Sequence, residues 1–219
     1  MRGLAAAGLL GAMLATAAPA GGHHVGAYTP RDNEVTANFK QIKAALQARK
    51  LDVALRLFDA GAVRREMRAR SAALPPGLDA ATRQGIESGD VAAAERQLVV
   101  LFLALARDLA REAERHVVDP ALATEARVAA GQRFLEAIWR YYNLVDFAVS
   151  QRDSRASVAM RLAFDEAEGY VKGAPAAAGP VPARGGAPDP ARLVEPLRRI
   201  ARILSDLIDG ASPPTRRDS

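Results

Sequence analysis

The chain has 219 residues, with 30 basic and 25 acidic side chains, no cysteine and only 5% aromatic residues. Without cysteine there are no disulfides, no thiol nucleophile, no Cys-ligated zinc, no iron–sulfur cluster and no covalently held c-type haem. The net charge of +5 is spread along the chain with acids interleaved, and few aromatics accompany it, which argues against a nucleic-acid surface.

Arg2 opens the chain, an apolar run follows over Leu4–Thr16, and Ala18-Pro19-Ala20 places small residues where a signal peptidase cuts. That pattern reads as a signal peptide over 1–20, giving a periplasmic or secreted protein that begins at Gly21, with 21–29 a mobile amino terminus.

From there the apolar spacing is helical throughout, and a helical bundle is expected over 30–172. Val35, Phe39, Ile42 and Leu46 make one stripe; Leu51, Leu55, Phe58 and Ala62 make the next. Val91, Ala94, Leu98, Leu101, Leu105 and Leu109 form a longer stripe, as do Leu122, Ala126, Ala130, Phe134, Ile138, Tyr141 and Val145. Met160, Ala163, Phe164, Ala167 and Val171 complete the set. Six helices are predicted, at 30–48, 52–70, 79–88, 90–118, 120–150 and 153–171, with short antiparallel connections.

Asp52, Asp79, Asp90, Asp119 and Asp153 precede these runs and are read as helix caps, with Pro30 and Pro120 at first helical positions. Val99–Ala106 is apolar all round, but Arg96 and Arg107 bound it. A bilayer span needs about 20 apolar residues, so this reads as a buried helix centre. No integral membrane segment is expected after signal cleavage.

Beyond Lys172 the composition turns to Ala, Gly and Pro, giving a flexible linker over 173–189. A last amphipathic helix follows at 190–209, with Leu193, Leu197, Ile200, Leu204 and Leu207 on one stripe, and then a tail over 210–219. That stripe can dock on the bundle, on a protein partner or on an anionic membrane. Pro196 either kinks the helix or lies in its first turn.

No catalytic motif is present: there is no nucleophile elbow, phosphate loop or dinucleotide fingerprint. The histidines are His23, His24 and His116. An enzyme is therefore not the expected reading.

Two candidate metal sites stand out. At the predicted new terminus, Gly21-Gly22-His23 offers an amine, two deprotonable amides and an imidazole. These can wrap Cu(II) or Ni(II) in a square plane, with His24 as an additional ligand. On the fourth predicted helix, Asp108, Glu112 and His116 are spaced by four and share one face. A bundle metal site also needs ligands from facing helices, for which Glu136, Asp146, Asp165 and Glu168 are available. A solvated charged face, with Arg107, Arg111 and Arg115 alongside, is the alternative reading of that column. Asp146, set between Val145 and Phe147, requires an arginine or an ion if it is buried.

Ala44–Met67 followed by Asp79–Leu109 resembles the periplasmic helical domain that accompanies bacterial iron permeases. The shared features are a helix, an Asp-led joint, an Ala-rich helix with Leu57-Phe58, a charged turn near Arg65-Glu66 and a Gly89-Asp90 joint. The permease Arg-Glu-x-x-Glu signature is absent, since Arg65-Glu66-Met67-Arg68-Ala69 lacks the second acid. The resemblance thus implies an accessory role beside a membrane transport component. The function expected from the sequence is binding of copper or another transition metal, or assistance to a metal-handling membrane system. The alternative is a metal-free scaffold that binds a protein partner through its C-terminal helix.

Overall fold

A computed structural model describes residues 31–172 and 187–211. The described chain is all α-helical. In order the helices are α1 (Glu34–Gln47), α2 (Leu51–Ala60), α3 (Ala62–Ala69), α4 (Leu78–Glu87), α5 (Val91–Val117), α6 (Thr124–Arg152), α7 (Ser154–Lys172) and α8 (Val194–Asp209), the last preceded by a 3-10 turn at Pro190–Leu193.

The four helices α5 to α8 form a closed ring in which α5 touches α6, α6 touches α7, α7 touches α8 and α8 returns to α5. Glu114 meets Arg198 and Arg111 meets Ser205, so α8 runs antiparallel to α5. Helices α1 to α4 form a smaller group that packs on α5, chiefly through α4. Phe102 joins the two groups, its ring 4.5 Å from Phe39 and 5.7 Å from Tyr141. Asn33 Nδ2 also donates to Tyr141 Oη at 2.9 Å.

The buried-centre reading of α5 holds: Val100–Ala106 is buried on every side. Among the described residues no helix is long and apolar enough to cross a membrane.

Several sequence expectations are corrected. The predicted helix 52–70 is two helices, broken at Gly61. Asn38, reaching over from α1, fills the break: its amide donates to Leu57 O at 3.0 Å and its carbonyl accepts from Val63 N at 3.0 Å. Asp90 and Asp153 do cap, accepting from Ala93 N and Ala156 N at 2.9 Å each. Asp52 and Asp79 lie inside their helices' first turns, where Asp52 pairs with Arg56 and Asp79 with Arg64 and Arg68. Asp119 instead holds a turn, accepting from Ala121 N, and α6 begins only at Thr124. Ala130, Ile138 and Val145 of the expected α6 stripe are buried, but the core face extends past that stripe to one side. Leu135, Trp139, Tyr142 and Val149 are buried, while Phe134 and Tyr141 are only partly so.

The terminal helix is part of the bundle. Leu193, Leu197, Ile200, Leu204 and Ile208 are buried against it, with Ile208 rather than Leu207 closing the stripe. Pro196 falls in the first turn of α8, where its missing N–H breaks no helical bond. Gly131 of α6 permits the approach: a Cβ there would lie 2.8 Å from Leu193 Cδ1. Polar contacts fasten the same region to α7. Asp189 N donates to Tyr170 O at 3.0 Å, Arg199 pairs with Glu166 at 2.8 Å, and Arg192 lies 4.3 Å over the Tyr170 ring.

Candidate functional site

The Asp108–Glu112–His116 column lies on the C-terminal half of α5, and the structure divides it. Asp108 turns to Arg107, whose Nε and Nη2 stand 2.9 and 2.8 Å from Oδ1, with Arg111 at 4.0 Å. Glu112 Oε1 and His116 Nε2 are 4.0 Å apart on an exposed face, and the His116 ring rests 5.2 Å from that of Phe134. Two donors therefore remain together and the third is held by a guanidinium.

The facing carboxylates are engaged elsewhere. Glu136 lies 3.5 Å from the Gln132 amide, not on Arg140, and Glu168 pairs with Lys172 at 2.9 Å. Asp165 is pushed above the usual carboxylate range by burial and by neighbouring Glu168. Among the described residues no group of three or more histidine, aspartate and glutamate side chains could hold an ion. Gly21, Gly22, His23 and His24 lie outside the described residues.

Asp146 is mostly buried, and its partner is an arginine. One carboxylate oxygen pairs with Arg161, and the other accepts from Ser157 Oγ at 3.1 Å. This cluster locks α6 to α7 across their seam. Replacing Asp146 with Ala leaves the buried Ser157 hydroxyl and the Arg161 head without their acceptor. That should lower unfolding stability by about 1–3 kcal/mol, read from a urea midpoint at constant slope.

Tyr142 lies beside this cluster with its ring buried, and its hydroxyl has no hydrogen bond of normal geometry. Burial, reinforced by the Asp146 charge, pushes the phenol far above its ordinary value. Below the unfolded pKa of about 10 the phenol is neutral in both states, so the shift costs the folded state nothing there. Stability falls as pH climbs past that value, because the unfolded chain ionises more readily than the folded one. Tyr142→Phe should therefore leave neutral-pH stability unchanged or slightly raised, and should flatten the alkaline limb of a melting-temperature profile. A marked loss at neutral pH would mean that the hydroxyl has a partner.

Sequence reasoning singled out Asp146 and its need for a cation. It did not find the partners, because Ser157 and Arg161 come from the next helix and no local spacing marks them. Phe147, the residue after Asp146, turns outward and is 76% exposed.

The fold defines the class, an all-α bundle closed by its C-terminal helix. Searches of protein-family models, curated proteins and solved structures gave no match to the chain.

Proposed function

We propose that this is an exported helical protein that binds a transition metal at the amino terminus of its mature chain, or assists a metal-handling membrane system. One observation carries the reading: Ala18-Pro19-Ala20, a signal-peptidase pattern, stands directly before Gly21-Gly22-His23-His24. Cleavage there creates the amine, amides and imidazole of a square-planar nitrogen site suited to Cu(II) or Ni(II). The second half of the proposal rests on the resemblance of Ala44–Met67 and Asp79–Leu109 to permease-associated helical domains.

The column on α5 contributes at most Glu112 and His116, because Asp108 is held by Arg107. The alternative, a partner held by the C-terminal helix, would require α8 to leave the bundle, because its apolar stripe is buried there.

The test is the metal content of protein purified from its native compartment, read beside its amino-terminal sequence. A chain starting at Gly21 that carries about one equivalent of copper or nickel supports the proposal. A chain starting elsewhere, or one free of both metals after growth in their presence, overturns it. Because each amide loses a proton on binding, affinity should fall as pH falls.

A further inference from the structure

The chain carries three histidines, and two of them, His23 and His24, belong to the terminal copper site proposed above. The third, His116, stands in the last turn of α5, its ring 5.2 Å from that of Phe134 on α6. Its Nε2 faces Glu112 Oε1 at 4.0 Å, which is beyond hydrogen-bonding distance. Both side chains are about half exposed, at 47% and 49%. An imidazole steadied by an aromatic ring thus stands at the surface with a carboxylate beside it.

The first helix begins close by. Asn33, the N-cap of α1, donates to Tyr141 Oη at 2.9 Å. Tyr141 and Phe134 are seven residues apart on α6, so they share one stripe and stand about 10.5 Å apart, or two turns. With the further 5.2 Å from Phe134 to His116, the N-cap of α1 lies roughly 20 Å from the imidazole. Ten positions separate His23 from Asn33. An extended chain covers about 33 Å over that length, so the terminus reaches His116 with room to spare.

Charge favours a loaded terminus here over a bare ion. Arg111 and Arg115 stand beside the pair on α5, and Arg133 precedes Phe134 on α6. Of the nearby acids, Asp108 is held by Arg107 and Glu114 by Arg198, which leaves Glu112. A free divalent cation therefore meets more like charge than opposite. Copper wrapped by the amine, two amides and an imidazole is different. The two amide protons leave to water, and the two amidate charges cancel those of Cu(II). The complex is neutral, and its square plane leaves the apical positions open.

We propose, resting on the terminal site, that the copper-loaded amino terminus docks beside the C-terminal end of α5, where His116 supplies an apical nitrogen to the ion and Phe134 backs its ring. All three histidines of the chain then serve one metal.

The chain beginning at Gly21 is titrated with Cu(II) and followed by visible absorption and by amide NMR, in which the paramagnetic ion broadens the signals of nearby nuclei. One equivalent is expected to broaden Glu112–Val117 and Arg133–Leu135, which are remote from the terminus in sequence. His116→Ala should restore those signals and move the visible band to shorter wavelength as the apical nitrogen is lost. It should also weaken binding by about three- to tenfold, the loss of one tethered contact. The position is half exposed, so helical content and melting should stay at wild-type values. His24→Ala should leave every reading unchanged. A band that forms while these two helices stay sharp, or readings that His116→Ala does not move, overturns the docking and leaves the terminal site standing. Broadening that survives in His23→Ala also overturns it, because copper would then sit on Glu112 and His116 alone. Effects that follow His24→Ala instead would assign the apical position to His24. Absence of any band removes the terminal site and this inference together.

Discussion

A chain ending at Lys172 should fail to fold at temperatures where the full chain is stable. Deleting the segment beyond it removes α8, the fourth member of the ring, and exposes the faces of α5 and α7 that it covers. Leu193, Leu197, Ile200, Leu204 and Ile208 all lose their burial. Each such aliphatic contributes about 1.5–3 kcal/mol when fully buried. Their sum is comparable to the ~5–15 kcal/mol that holds a whole domain together. Circular dichroism melting is the measurement. Loss of the cooperative transition, or a collapse of its midpoint, is the expected result. An unchanged midpoint would mean that α8 is an independent arm, and would restore the partner-binding reading of that helix.

Gly61→Ala should be among the most damaging single-methyl additions in the protein. A Cβ at this position would sit 2.2 Å from Leu57 O and 2.2 Å from Asn38 Oδ1. The first is backbone and cannot swing aside, and the second belongs to the side chain that satisfies both ends of the α2–α3 break. Either the break opens or Asn38 withdraws and leaves Leu57 O and Val63 N without their partner. A loss of about 3 kcal/mol or more is expected from forced overpacking combined with broken buried hydrogen bonds. Asn38→Ala should cost about 1–3 kcal/mol by the second route alone. The two substitutions strike one contact, so the double variant should lose less than the sum of the singles. Urea unfolding of the four proteins measures this, and additive losses would show that Asn38 and Gly61 act separately.

The fold was legible wherever apolar spacing alone decides it. The stripes on α1, α5 and α7 were read from intervals of three and four, and Phe39, Ile42, Leu46, Leu98, Leu101 and Met160 are buried as those intervals require. The break at Gly61 was not legible, because Ala60-Gly61-Ala62 continues the helical rhythm and the cause of the break, Asn38, lies on another helix. Asp119-Pro120 looked like a helix start, but the chain uses that pair for a turn before Thr124. Aspartate before proline serves both purposes, and only tertiary packing chooses between them.

The α5 column shows the same limit for a site. Spacing by four placed Asp108, Glu112 and His116 on one face, but spacing does not reveal that Arg107, the preceding residue in the chain, holds Asp108. The docking of α8 was one of several outcomes open to its stripe. Gly131, the residue that admits Leu193, carries no signal of that role within its own helix.

The central claim is the terminal metal site, and a Cu(II) titration of three proteins tests it most directly: the chain beginning at Gly21, its His23→Ala variant, and the same chain carrying one extra residue before Gly21. If the amine, the two amides and the His23 imidazole form the site, the first protein binds one Cu(II) with the visible absorption of a square-planar nitrogen complex. Both altered chains should then lose that band, because the extra residue moves the amine out of its chelate ring as effectively as alanine removes the imidazole. Retention of the band by the extended chain would contradict the account, since binding would then come from the histidines alone.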